Sequence, residues 1–122
     1  MSFKLKALVC DDSSVMRKIL TEILEAENFQ VVAEAPDGIE AVRLCKLHTP
    51  NLVTLDIAMP GMDGISALKE IRKISKEIKV VMVTSLDRQE LVLEALKNGA
   101  ENYITKPYQA EKVARVIACI NY

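Results

Sequence analysis

The chain predicts an α/β fold in which one parallel sheet is covered by helices on both faces. Short apolar runs alternate with longer stretches of helical period, and the pair recurs five times along the chain. The middle runs are too apolar to leave a wet face, as strands buried on both sides require. At 122 residues, half of them apolar, the chain can bury a core without disulfides or a structural metal. One folded unit over residues 1–122 is therefore expected.

The strands are read over Ala7 to Cys10, Val31 to Ala35, Leu52 to Leu55, Val80 to Val83 and Asn102 to Thr105. The second and fifth carry polar residues and are placed at the sheet edges. In the first helix Val15, Ile19 and Ile23, with Met16, Leu20 and Leu24, form an i, i+4 stripe, opened by a Ser13-Ser14 cap. Ile39, Val42 and Cys45 mark the inner face of the second helix. The third starts after Asp63 as N-cap, buries Ile65, Leu68 and Ile71, and ends in Arg72-Lys73, which suits the negative end of a helix. Asp87, with Glu90 three residues on, reads as a capping box for the fourth, which stops at Asn98-Gly99, where glycine can adopt the left-handed cap. The fifth buries Val113, Ile117 and Ile120.

Composition narrows the function. Sixteen basic residues against seventeen acidic give a formal charge of −1, so no broad basic surface is offered to nucleic acid or anionic lipid. The longest apolar stretches, such as Val80-Val81-Met82-Val83, are far below the roughly 20 residues of a membrane span, and the start lacks a signal peptide's apolar centre. A cytoplasmic protein is expected. Cys10, Cys45 and Cys119 have unrelated spacings and read as reduced core or near-surface residues.

The polar residues that end the apolar strands carry the chemistry. Asp11-Asp12 follow the first strand, Asp56 the third, Thr84-Ser85 the fourth and Lys106-Pro107 the fifth. In an open parallel sheet the ligand site lies beyond the carboxyl ends of the strands, so these groups converge. Helix capping is an alternative for Asp11 and Asp12, but Asp63 is better placed than Asp56 to cap the third helix. Three acids brought together repel one another unless a cation binds among them. Carboxylate and carbonyl oxygens suit Mg²⁺, and no His or Cys is placed for zinc. A carboxylate can also attack phosphorus, forming an acyl phosphate. Transfer then needs in-line positioning and neutral surroundings for the phosphoryl oxygens, which Mg²⁺, Lys106 and the Thr84 hydroxyl can supply.

The stretches LVCDDS, LVTLDIAMPGMDG, VVMVTS and YITKP resemble, in order and spacing, the receiver domains of two-component response regulators. The resemblance covers essentially the whole chain and is greatest to stand-alone chemotaxis regulators. It implies a flavodoxin-like (βα)5 doubly wound sandwich with strand order 2-1-3-4-5. It further implies that Asp56 is the phosphoacceptor, that Asp12, Asp56 and the carbonyl of Ala58 hold Mg²⁺, and that Asp11 acts mainly through water. Thr84 and Lys106 would contact the phosphoryl group, Tyr103 would be the switch aromatic that turns inward as Thr84 moves, and the Lys106-Pro107 peptide would be cis. The chain departs from the polar residues of some relatives at Ala58 and Leu86, neither of which can guide an attacking water, so slow self-dephosphorylation is expected.

The partners implied by the resemblance are a histidine kinase or phosphotransfer protein, docking near the first helix over the active site, a downstream target such as a flagellar motor switch component, and a phosphatase. Output would pass through the fourth helix, fifth strand and fifth helix, with Leu91, Leu93, Lys97 and Tyr103 on that surface. No effector domain is visible, so action by binding is expected, from a monomer when unphosphorylated. The protein would catalyse only its own phosphorylation and dephosphorylation. A single-domain phosphorelay intermediate is the alternative within this family. A haloacid-dehalogenase-type phosphatase shares the Asp nucleophile and Mg²⁺, but Ala58 stands where its general acid belongs. A flavodoxin-like nucleotide binder needs a phosphate loop after the first strand, where Asp11-Asp12 would instead repel phosphate.

Overall fold

The computed structural model describes residues 4–85 and 88–122. Five strands, β1 (Leu5–Cys10), β2 (Phe29–Ala35), β3 (Leu52–Asp56), β4 (Lys79–Thr84) and β5 (Asn102–Thr105), alternate with five helices. These are α1 (Ser14–Ala26), α2 (Gly38–His48), α3 (Gly64–Ile74), α4 (Gln89–Lys97) and α5 (Ala110–Ala118). The strands form one parallel sheet in the order β2-β1-β3-β4-β5, so the flavodoxin-like arrangement is the one observed. No helix among the described residues is long and apolar enough to cross a membrane.

Alternation along each strand sends successive side chains to opposite faces and splits the core in two. Leu8, Val53, Leu55, Val80 and Met82 pack beneath α2, α3 and α4, together with Leu68 and Ile71 of α3. Ala7, Val9, Leu52, Val81 and Val83 face α1 and α5, where Leu20, Leu24, Val113 and Ile117 meet them. Each fully buried side chain of this size stabilises the fold by about 1.5–3 kcal/mol. β3 is buried at every residue, whereas β2 and β5 are only partly covered, as their polar residues indicated.

Three helices keep the caps read from the sequence. Ser13 accepts from the Met16 N–H and Asp63 from the Ser66 N–H at 2.8 Å, and Gly99, at φ +100°, turns the chain after α4. Several helix residues sit differently from expectation. Val15 and Ile19 are exposed, because Met16, Leu20, Ile23 and Leu24 already fill the inward face of α1 and the parallel row lies one residue further round. Ile39 is exposed for the same reason, with Ala41 and Cys45 turned inward. Ile120 lies beyond the end of α5 and packs from the following segment. At α4 the N-cap is Arg88, which makes no side-chain cap bond, and Asp87 lies outside the described residues.

Thr54, in the middle of β3, is fully buried, and its hydroxyl has no hydrogen-bond partner among the described residues. An unsatisfied buried hydroxyl costs about 1–3 kcal/mol, and valine has the same shape without it. Thr54→Val is therefore expected to raise the unfolding free energy by about 1 kcal/mol in denaturant titrations. An unchanged or lowered midpoint would show that the hydroxyl is satisfied.

Candidate active site

Strand register builds the site. Asp56 ends β3 opposite Val83, Thr84 ends β4 opposite Thr105, and Asp11 continues β1 from Cys10, itself opposite Leu55. Backbone bonds hold each strand end beyond the regular ladder, from Asp11 N–H to the Ala35 carbonyl, Ile57 N–H to Val83, and Lys106 N–H to Thr84 at 2.7 Å. The peptide that joins Lys106 to Pro107 is cis, as the resemblance implied.

Five of the expected side chains meet here. Lys106 Nζ lies 2.8 Å from Asp11 Oδ2 and 3.2 Å from Asp56 Oδ2, bridging the two acids. Asp11 and Asp56 are buried and Asp12 is exposed, yet one carboxylate oxygen from each lies within 4.8 Å of the others. The Ala58 N–H donates to Asp56 Oδ1 at 3.3 Å, so the chain after β3 curls over the acid. Thr84 is buried at the wall of the cavity, and its hydroxyl donates to the Ser85 carbonyl at 3.1 Å. The cavity between these groups is about 210 Å³ and is also lined by Arg88. Tyr103 is half-buried, packed against the apolar layer under α2, α3 and α4, and does not line the cavity. Leu86 lies outside the described residues.

The electrostatics follow from burial and like charge. Burial pushes the Asp56 carboxyl above the ordinary carboxylate range, and the Asp11 charge adds to this, against the opposing pull of Lys106. Burial draws the Lys106 ammonium down, but its hydrogen bond to Asp11 and the charges of Asp56 and Asp11 outweigh this and leave it raised. Lys106 is thus a firm cation at neutral pH. Burial, followed by the acid charges, also pushes the Cys10 thiol far up, so it is no nucleophile.

Supporting residues were missed in the sequence. Arg17 donates to the Asp11 carbonyl at 2.7 Å and pairs with Glu34, anchoring the β1–α1 turn. Tyr108 donates to the Met16 carbonyl at 3.2 Å, tying the segment after β5 to α1, and burial pushes its phenol up to about 12. Neither carries a local motif; both act through backbone carbonyls that only the fold brings near. Arg88 could have been found as the one cation just past the β4 polar end.

The donor set suits a hard divalent cation. Three carboxylates that each bring an oxygen within 4.8 Å of the others, beside one lysine, leave negative charge uncompensated, and among the described residues no imidazole or thiolate joins the cluster. Asp12, Asp56 and the Ala58 backbone border this space.

Residues 7–118 match the response regulator receiver domain family. The chemotaxis protein CheY of Bacillus subtilis is 44% identical over 112 residues, which is 92% of this chain and 93% of that protein. CheY of Thermotoga maritima is 39% identical over 92% of this chain and 93% of its own length. Among solved structures, a chain of the CheX-CheY-BeF3-Mg+2 complex from Borrelia burgdorferi superposes with a TM-score of 0.88 at 39% identity, covering 93% of this chain and 86% of that one. The response regulator domain of Thermotoga maritima CheB gives 0.83 at 38% identity, covering 95% and 92%. On this sequence match and this fold, the chain belongs to the response regulator receiver domain family.

Proposed function

We propose that this chain is a phosphorylation-activated signalling switch in which Asp56 takes a phosphoryl group from the phosphohistidine of a histidine kinase or phosphotransfer protein. The observation that carries the reading is the Asp56 carboxylate at the end of β3, bridged to Asp11 by Lys106 and bordered by Asp12, Ala58 and Thr84. An Asp56 oxygen attacks phosphorus as the phosphorus–nitrogen bond of the donor breaks, and the bonding pair leaves with the imidazole. Asp12, Asp56 and the Ala58 carbonyl, with Asp11 behind, would hold Mg²⁺, which would supply positive charge to the phosphoryl oxygens. Lys106 neutralises another oxygen, and the Thr84 hydroxyl turns from the Ser85 carbonyl to bond a third. Ala58 offers no group to orient water, which favours a long-lived acyl phosphate.

Likeness to CheY proteins supports a role in chemotaxis, with a motor-switch component as target, and the CheX-CheY complex supports a further protein partner, whose role in this reading is that of a phosphatase. The setting is the cytoplasm, and residues 1–122 act as one receiver domain. Intact-mass measurement after incubation with a small acyl phosphate and Mg²⁺ tests the chemistry. Gain of one phosphoryl mass, persisting for minutes and abolished by chelator, is expected. No gain with Mg²⁺ would exclude the switch.

Output runs through Tyr103, a half-buried residue of β5 whose ring can follow Thr84 inward once that hydroxyl turns. Exposed Leu93 on α4 offers the apolar contact of the same surface. Tyr103→Ala is expected to leave the phosphoryl gain unchanged while weakening target binding about tenfold, the scale of one buried aromatic at an interface. Equal loss of both activities would contradict the relay.

A further inference from the structure

The acid cavity opens beside a second, larger hollow between α3 and α4, about 500 Å³, and Ala58 and Arg88 line both. Arg88 stands at the start of α4, its backbone N–H bonded to the Ser85 carbonyl at 3.2 Å. Its side chain is exposed and caps nothing, and it makes no ion pair among the described residues. The site's other cation, Lys106, is already committed to Asp11 and Asp56.

Charge balance gives Arg88 a task. Asp11, Asp12 and Asp56 bring three negative charges, which Lys106 and one divalent cation offset. Exchanging the single charge of Asp56 for a phosphoryl group of about −1.5 to −2 leaves close to one negative charge uncompensated. Arg88 lines this cavity, the charge of its guanidinium matches that excess, and the group's planar fork suits tetrahedral oxyanions. The side facing the hollow is the one where Ala58 offers its backbone N–H but no side-chain donor.

Resting on the switch reading, we propose that Arg88 is a second cationic contact to the phosphoryl group on Asp56, closing the cavity on the side of Ala58. It is idle in the unphosphorylated protein and engages only when the group arrives. The residue thereby selects for a dianionic occupant over the bare carboxylate.

The test uses beryllofluoride with Mg²⁺, which places a tetrahedral fluoride analogue of the phosphoryl group on a carboxylate. Affinity is measured by titration calorimetry for the wild type, Arg88→Gln, Arg88→Lys and Arg43→Gln, the last removing an equal charge from exposed α2. Arg88→Gln is expected to bind about tenfold more weakly, one charge-assisted hydrogen bond's worth, with part regained in Arg88→Lys and none lost in Arg43→Gln. Thermal midpoints of Arg88→Gln and Arg88→Lys should agree with the wild type, since the Arg88 side chain is exposed and makes no cap bond. Wild-type affinity in Arg88→Gln, or an equal loss in Arg43→Gln, would overturn the contact while leaving the switch intact. Absence of beryllofluoride binding by the wild type would instead remove the switch reading, and Arg88's role with it.

Discussion

Asp56→Asn is expected to abolish phosphoryl uptake completely under conditions where the wild-type chain gains one phosphoryl mass. Asparagine keeps the shape of the side chain and an oxygen for the Ala58 N–H, but an amide oxygen is too poor a nucleophile to form an acyl phosphate. The variant should also fold, and its stability adds a second readout. The Asp56 carboxyl is raised above its ordinary range by burial first and by Asp11 as well. For an acid raised in the fold, the favourable contribution belongs to the protonated form; it is present below the unfolded value and lost as pH rises through the folded one. At neutral pH the wild type therefore carries a charge it disfavours, and in chelator Asp56→Asn should melt higher, with the difference vanishing in acid. Residual phosphoryl gain at another residue would displace Asp56 as acceptor. A lower melting temperature would show that Lys106 more than compensates for the acids.

Gly64→Ala is expected to be the most damaging single-methyl change in the chain. Gly64 opens α3, and its N–H donates to the Ile57 carbonyl at 2.8 Å, folding the helix start back onto the end of β3. A Cβ at this position would collide with the Asp56 carbonyl oxygen and stand 2.7 Å from Ile57 Cα, all backbone atoms with no rotamer to yield. Relief requires moving either α3 or the strand end. A cost of about 3 kcal/mol is expected, at the upper end of overpacking, which lowers the melting temperature by roughly 10 °C in a domain of this size. Because the displaced backbone carries Asp56 and leads into Ala58, Mg²⁺ affinity measured by titration should fall with stability. A loss below 1 kcal/mol with Mg²⁺ affinity intact would mean that the loop between β3 and α3 absorbs the methyl without strain.

The chain by itself determined the layer architecture, because apolar runs and helical stripes report burial directly and burial is what the sheet imposes. It also located Asp11, Asp12, Asp56, Thr84 and Lys106, since each ends an apolar strand and the parallel sheet gathers such ends at one edge. The resemblance to receiver domains, rather than periodicity, carried the strand order and the cis bond before Pro107. Tertiary structure decided what depends on direction around a helix or on distance through space. Val15, Ile19 and Ile39 are apolar yet exposed, because a second row beside a filled stripe has no sheet left to meet. Arg17 and Tyr108 serve the site through backbone carbonyls, acceptors that every residue possesses and no residue type announces. The bridging of Asp11 and Asp56 by Lys106, and the placing of Arg88 on the wall they share, arise from contacts between strand ends far apart in sequence, which only the closed fold brings within reach.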